Sequence, residues 1–279
     1  MANEIERGAL YVVGTPIGNL SDITDRAKYV LENVSFVAAE DTRVSGKLLS
    51  CYDIKNSFVS YHEHNKAQAG GAILERLQGG ETGAIVTDAG IPAISDPGED
   101  LVRLCKENGI KVIPVPGACA FITALSASGF PSRRFTFEGF LPTDKKEMNE
   151  VLDDHKNDKK TVIFYEAPHR LVKTLETMYK AWGDRKICLA RELTKLNEEI
   201  VCTTLESALE MYKTREPRGE YVIIVGGAEE NTDGCFFENM TIEEHVEFYE
   251  KQGLRRMDAI KACAKDRGVS KNEVYKHFI

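Results

Sequence analysis

Short apolar runs of four to six residues, each followed by a stretch of helical periodicity, recur along most of the chain. This alternation restricts the fold more than any other feature. Strand-like runs stand at 9–13 (ALYVV), 36–39, 57–60, 84–87 and 111–115, with helical patterns between them at 26–31, 46–51, 67–77 and 99–108. Apolar runs of this length alternating with helices predict an α/β domain built on a mainly parallel sheet. A second series follows, with strands expected at 136–140, 161–165, 187–190, 199–203 and 221–225, and helices at 145–156, from Pro168 onward and at 205–214. The pattern here is more mixed, as in an α/β domain with antiparallel pairs.

At 279 residues the chain has room for two modest domains and an appendage. The divisions read as 1–115 for an N-terminal α/β domain, 116–227 for a second α/β domain, 228–239 for a polar linker and 240–279 for a helical module. The first division falls at the PVPG turn, 114–117, where two prolines and a glycine punctuate the chain. In the last module Thr241 with Glu244, and Ser270 with Glu273, have the spacing of capping boxes. A Gly-Val-Ser turn separates two short helices there, as in a helix-turn-helix. From Lys251 onward eight Lys and Arg stand against three acids, so the net charge of −8 divides into +5 on this tail and −13 on the 250 residues before it. An acidic body with a basic tail points to polyanion contact at one end; on charge alone a solvated helical tail with no partner is equally consistent, and a small helical cap packing on the body competes with the helix-turn-helix reading. No apolar run approaches the ~20 residues that cross a bilayer, and the N-terminus lacks the basic start of a signal peptide. A cytoplasmic protein without membrane contact is expected. Seven cysteines, never closer than 14 residues, form neither a disulfide framework nor a zinc site and read as inert thiols.

The chain lacks the G-x-G-x-x-G of dinucleotide sites, the P-loop and the G-x-S-x-G elbow. After the first strand it carries GTPIGNL (14–20) instead, a loop in which Gly14 and Gly18 allow close backbone approach and Pro16 stiffens the turn. After the strand at 84–87 comes DAGIPAISDPG (88–98), eleven residues with two Gly, two Pro and two Asp. Loops at the carboxyl ends of parallel strands are where open α/β sheets bind ligands. A rigid Pro/Gly run presents backbone groups to an adenosine, with Asp88 available to its ribose hydroxyls. PGACAFITALSASG (116–129) places further small residues at the junction of the two halves.

GTPIGNL, AEDTRVSGKLL, TDAGIPAISDPG, VPVPGACA, TALSASGFP, FEGFLP, FYEAPHR and ARELTK occur in this order and spacing. Together they resemble the tetrapyrrole methylase superfamily, and within it the branch that methylates small-subunit ribosomal RNA. The resemblance spans essentially the whole chain. It implies a two-domain α/β fold of tetrapyrrole-methylase type with the donor pocket between the domains, a homodimer, S-adenosyl-L-methionine as methyl donor and no metal. It also implies 2′-O-methylation of a cytidine ribose in the decoding region of 16S rRNA in the small ribosomal subunit. Carried over position by position, it implies a donor pocket of Pro16, Asp88, Ala89, Gly90, Ile91, Ile94, Ala120, Phe121, Tyr165, Gly219 and Tyr221. The chain departs from the family at Ile91, where Thr is usual, and at Cys119-Ala120, where Pro-Ser or Ser-Ala is common.

Methyl transfer from a sulfonium is an in-line displacement, so alignment and exclusion of water supply much of the rate. A ribose hydroxyl is a poor nucleophile, so a base or an electrostatic helper is expected. Glu166, His169, Arg170 and Lys195 are the candidates, with Arg191 and Glu192 beside them equally readable as a structural ion pair. His62-Glu63-His64 is the one metal-like cluster and reads rather as a loop or RNA-facing pair. RNA contact is expected from Arg133, Arg134, Lys145 and Lys146 near the cleft mouth and from Arg255 and Arg256 in the tail. Two other readings stand beside this one. The same fold could act on a corrin-type ring, against which the basic tail argues; or the chain could be a non-catalytic ribosome-associated RNA-binding module, against which the intact DAGIPAISDPG loop argues.

Overall fold

The computed structural model describes residues 4–228, Phe237 and 240–278. They fall into two compact units, one ending at Ala228 and one C-terminal to it. The linker expected at 228–239 lies outside the described residues except for Ala228 and Phe237.

The first half of the larger unit is a five-stranded sheet of β1 (Leu10–Val13), β2 (Phe36–Ala39), β3 (Phe58–Ser60), β4 (Gly83–Val86) and β5 (Val112–Val115), in the order β3-β2-β4-β1-β5. Every pairing is parallel. Helices α1 (Asp25–Asn33) and α2 (Thr42–Ser50) follow connections that run toward β3, and α3 (Lys66–Gln78) and α4 (Gly98–Glu107) follow connections that run toward β5. Right-handed crossovers therefore put the two pairs on opposite faces. The cores agree: Ala27, Val30, Leu31 and Leu49 pack with Tyr11, Val13, Val37 and Ala39, whereas Ile73, Leu77, Leu101 and Cys105 pack with Leu10, Phe36, Ala38 and Ile85. Strands covered on both faces have no polar side, which explains their unbroken apolar sequence. Connections leave the neighbouring strands β1 and β4 in opposite directions, and the crevice at such a switch point is where ligands bind.

The second half begins with α5 (Ala120–Ser128) and a sheet of β6 (Phe135–Phe140), β7 (Thr161–Glu166), β8 (Lys186–Arg191), β9 (Glu199–Thr204) and β10 (Tyr221–Val225), ordered β6-β7-β10-β8-β9. Only β6–β7 is parallel; the other three pairings are antiparallel. Helices α6 (Lys145–Asp154), α7 (Pro168–Trp182) and α8 (Leu205–Thr214) cover one face through Leu152, Leu171, Leu175, Met178, Leu205 and Ala208. Helix α5 covers the other through Ala124 and Leu125, against Ile163, Ala190, Val222 and Ile224. Cys188 and Cys202 are direct cross-strand partners and their sulfurs are paired as a disulfide, which corrects the expectation of inert thiols. The pairing register brings them together, and spacing along the chain does not reveal that.

The C-terminal unit holds α9 (Ile242–Lys251), α10 (Arg256–Asp266) and α11 (Lys271–Tyr275) around Val246, Ala259, Ile260, Cys263 and Val274. Both expected capping boxes are formed, at Thr241/Glu244 and Ser270/Glu273. Arg267 donates to the carbonyls of Phe237, Met240 and Thr241 and to Nδ1 of the buried His245, tying the end of α10 to the start of α9. Among the described residues no helix is long and apolar enough to cross a membrane.

Candidate active site

A cavity of about 490 Å³ lies between the carboxyl ends of the first sheet and the facing edge of the second. That volume suits a small-molecule ligand. The loop after β4 forms one wall, and its conformation is costly. Gly90 has φ +87°, and the non-glycine residues Ala93 and Ser95 stand at φ +67° and +66°. Non-glycine residues in this region persist only where the surroundings hold them, and they gather at ligand sites. Asp96 is one holder: its Oδ1 accepts from the backbone N–H of Ala93 (3.0 Å) and of Gly98 (2.8 Å). Thr15 is another. Its N–H donates to the Gly90 carbonyl at 2.9 Å, and its hydroxyl donates to the Gly90 and Thr87 carbonyls. The loops after β1 and β4 are thereby laced across the switch point. A third strand end joins at Gly14 and Gly117, where a Cβ on Gly14 would stand 2.7 Å from the Gly117 Cα. Only paired glycines permit that approach of two main chains.

The second sheet supplies the facing wall from four strand ends in spatial order: Phe140 of β6, Tyr165 and Glu166 of β7, Tyr221 and Val222 of β10, and Ala190 with Glu192, Leu193 and Lys195 after β8. Behind Tyr165 the rings of Phe137 and Phe121 stack at 4.2 Å, so this wall is stiff. Burial pushes the Tyr165 phenol up to about 12. Charge in the cavity is predominantly negative. Glu40, at the end of β2, is raised above the usual carboxylate range by burial and by Asp88 and Asp96. Asp88 is raised by burial and by the neighbouring Asp41 charge. Among the described residues Lys195 is the one cation in the lining, and its Nζ lies 2.9 Å from Glu192 Oε1.

A family model described as Tetrapyrrole (Corrin/Porphyrin) Methylases matches residues 9–209. The chain belongs to the tetrapyrrole methylase family. Among its relatives, the ribosomal RNA small subunit methyltransferase I of Halalkalibacterium halodurans is 47% identical, covering 98% of this chain and 95% of the relative. The protein of the same name from Bacillus subtilis is 45% identical, covering 98% and 94%. The solved uroporphyrin-III C-methyl transferase from Thermus thermophilus, complexed with S-adenosylhomocysteine, shares the fold with a TM-score of 0.55 at 17% identity, over 77% of this chain and 96% of that one.

In this tetrapyrrole methylase Asp88, Ala89, Gly90, Ile91, Ile94, Ala120, Tyr165 and Tyr221 line the cavity together. Pro16 does not; it is buried, and Ile17 beside it takes the lining position. Phe121 stands behind the wall, and Gly219, at φ +73°, abuts the Glu192 carboxylate. Of the four catalytic candidates Glu166 and Lys195 reach the cavity, whereas the exposed His169 and the half-buried Arg170, both on α7, lie outside its lining. Glu166 is fully committed: it accepts from the Ala167 N–H and the Thr174 hydroxyl and pairs with Arg170. Arg191 is held at Glu199, which a second arginine, Arg215, also pairs; the two guanidiniums pull Glu199 down to about 2. That is a structural ion-pair network.

Lys145 and Lys146 open α6 five residues after Phe140. Arg133 and Arg134 precede the opposite end of β6, roughly 17 Å away at about 3.3 Å per residue, so they do not stand at the cleft mouth. Arg255 caps α10 and Arg256 lies over the Phe278 ring at 4.8 Å. His62 and His64 meet edge to face, and among the described residues no three His, Cys, Asp or Glu side chains gather as a metal site. Cys119, a departure from the family beside Ala120, lines the cavity with it; Glu40, Ile17 and Phe140 were not anticipated. Glu40 could have been, since it directly follows a strand of the parallel sheet, where the same carboxyl-end rule applies.

Proposed function

We propose that this protein transfers the methyl group of S-adenosyl-L-methionine to the 2′-hydroxyl of a cytidine ribose in the decoding region of 16S rRNA, acting in the cytoplasm as a homodimer on the small ribosomal subunit. The observation that carries this reading is the similarity, over 98% of the chain, to proteins named as small-subunit ribosomal RNA methyltransferases. The cavity suits the chemistry. Its volume accommodates a nucleoside, the Gly90 turn offers main-chain edges, and Ile17, Ile94 and Ala120 offer apolar surface. Glu40, Asp88 and Asp96 complement a positive charge. When bound, the donor supplies an electrophilic methyl on a cationic sulfur. Asp88 accepts from the donor's ribose hydroxyls, and Ala89, Gly90 and Ile91 hold its base. Glu166, already bonded on both oxygens, positions Arg170 and the start of α7 and takes no proton. Lys195, steadied by Glu192, makes the acceptor hydroxyl easier to deprotonate; its proton passes to solvent, and the oxygen takes the methyl as the sulfur leaves as a neutral thioether. Lys145, Lys146, Arg255 and Arg256 bind phosphates, which supply most of the affinity for RNA.

The test is transfer of labelled methyl from S-adenosylmethionine to unmethylated small ribosomal subunits, with a precorrin acceptor in parallel and light scattering for the dimer. Label on RNA alone supports the reading, and label on the corrin alone overturns it.

A further inference from the structure

We infer that Phe140 is the platform on which the nucleobase of the acceptor nucleotide stacks, a positioning contact that fixes the ribose at the cavity; the inference rests on the RNA-methylating reading above. Register is the first argument. Strand β6 pairs Phe137 with Ile163 but Gly139 with Phe164 and Phe140 with Tyr165, so one extra residue is inserted between Phe137 and Gly139. A strand's side chains alternate between faces, and an inserted residue reverses the alternation. The bulge therefore turns Phe140 to the same face as Phe137 and Tyr165, which is the cavity face. The displaced Glu138 turns the other way, to His155 at the end of α6.

The bulge is built rather than incidental. Gly139 has φ +68°, and a Cβ there would stand 2.9 Å from Ser95 Oγ, so the turn that aims Phe140 is seated on the donor-side loop itself. Phe140 then ends an aromatic series. Phe121 stacks on Phe137, Phe137 meets Tyr165 edge to face at 5.0 Å, and Tyr165 meets Phe140 at 5.8 Å. The first three rings are partly buried, whereas Phe140 is 50% exposed on the cavity wall. Lys195 lines the far side from the loop after β8, a strand three positions from β6 and roughly 14 Å from it at the usual strand spacing. A nucleotide with its base on Phe140 spans toward that cation with its sugar between them. A base inside folded RNA must leave its stack to enter such a cavity, and an aromatic face of this kind recovers part of the lost stacking.

The experiment compares wild type, Phe140→Ala, Phe140→Leu and Phe140→Trp by donor affinity in calorimetry and by methyl transfer to unmethylated small subunits. Phe140→Ala and Phe140→Leu should lose about ten- to a hundredfold in kcat/KM for RNA at unchanged donor affinity, and Phe140→Trp should restore it. The indole introduced by Phe140→Trp should be quenched by subunits but not by S-adenosylhomocysteine alone. Three outcomes overturn the inference while leaving the RNA reading intact: full activity in Phe140→Ala, full activity in Phe140→Leu, or a loss of donor affinity that accounts for the lost transfer. No transfer by the wild type overturns the RNA reading first, and this inference with it.

Discussion

Replacing Asp88 by Ala separates donor binding from folding, because repulsion and a backbone hydrogen bond offset each other in the free protein whereas the donor's hydroxyls have no such offset. In the free protein Asp88 sits near Asp41 and Glu40, burial raises its pKa, and its charge in turn raises Glu40. Removing it relieves that repulsion but gives up the hydrogen bond from the Asp41 backbone N–H, so the melting temperature of Asp88→Ala should stay close to that of wild type. With donor bound, the carboxylate is expected to accept two hydroxyl hydrogen bonds. Hydrogen bonds to charged groups contribute about 1.5–3 kcal/mol each. Asp88 is only partly shielded from solvent, which favours the low end, so one to two such bonds amount to about ten- to a hundredfold in donor affinity. Asp88→Asn, which keeps an acceptor oxygen but no charge, should fall between. Calorimetric titration with S-adenosylmethionine reads the affinity and a thermal melt reads the fold. A donor affinity within twofold of wild type in folded Asp88→Ala would refute the reasoning.

Raised carboxyl pKa values in the free cavity mean that protons compete with a cationic donor. Donor affinity should therefore weaken as pH falls through the raised values of Glu40 and Asp88, starting above their ordinary 4.5 and 3.8, and calorimetry from pH 7.5 to 4.5 checks this. Gly14→Ala drives a Cβ to 2.7 Å from the Gly117 Cα and should weaken donor binding, read by calorimetry, and lower amide protection in the first sheet more than in the second, read by amide exchange. Deleting 240–279 should spare donor affinity, since residues up to Ala228 hold both sheets, and should reduce transfer to RNA; Arg255→Ala with Arg256→Ala should make the slope of log affinity against log salt shallower by about 1.5. His245, buried and beside Arg267, is held below its ordinary 6.5 despite the opposing charge of Asp266. The unfolded chain thus protonates first, and the C-terminal unit should be most stable above pH 6.5 and lose stability as pH falls below it, measured by amide exchange in α9 and α10.

Both sheets were legible because each strand is a discrete apolar run and turn residues separate them. The reversal between β1 and β4 was not legible, since strand order is a property of pairing, yet the loop after β4 stood out by its Gly, Pro and Asp content. Helix α5 went unread: AFITALSAS packs on the second sheet through Ala124 and Leu125 but exposes Ile122, Ser126 and Ala127, so it has no charged stripe to reveal its period. Phe140 could not be placed, because the bulge at Gly139 reverses the face that alternation assigns to it. Arg133 and Arg134 look close to FEGFLP in sequence, but a whole strand separates them from its cavity end. Cys188 and Cys202 met through register alone.

The central claim is that the methyl group ends on a ribose oxygen. Small subunits methylated with labelled S-adenosylmethionine can be digested to nucleosides and, separately, treated with alkali, which cannot cleave the backbone next to a 2′-O-methyl group. The account predicts one labelled nucleoside, a 2′-O-methylcytidine, with the label retained in an alkali-resistant dinucleotide. Label on a base, or in fully hydrolysed mononucleotides, would contradict it.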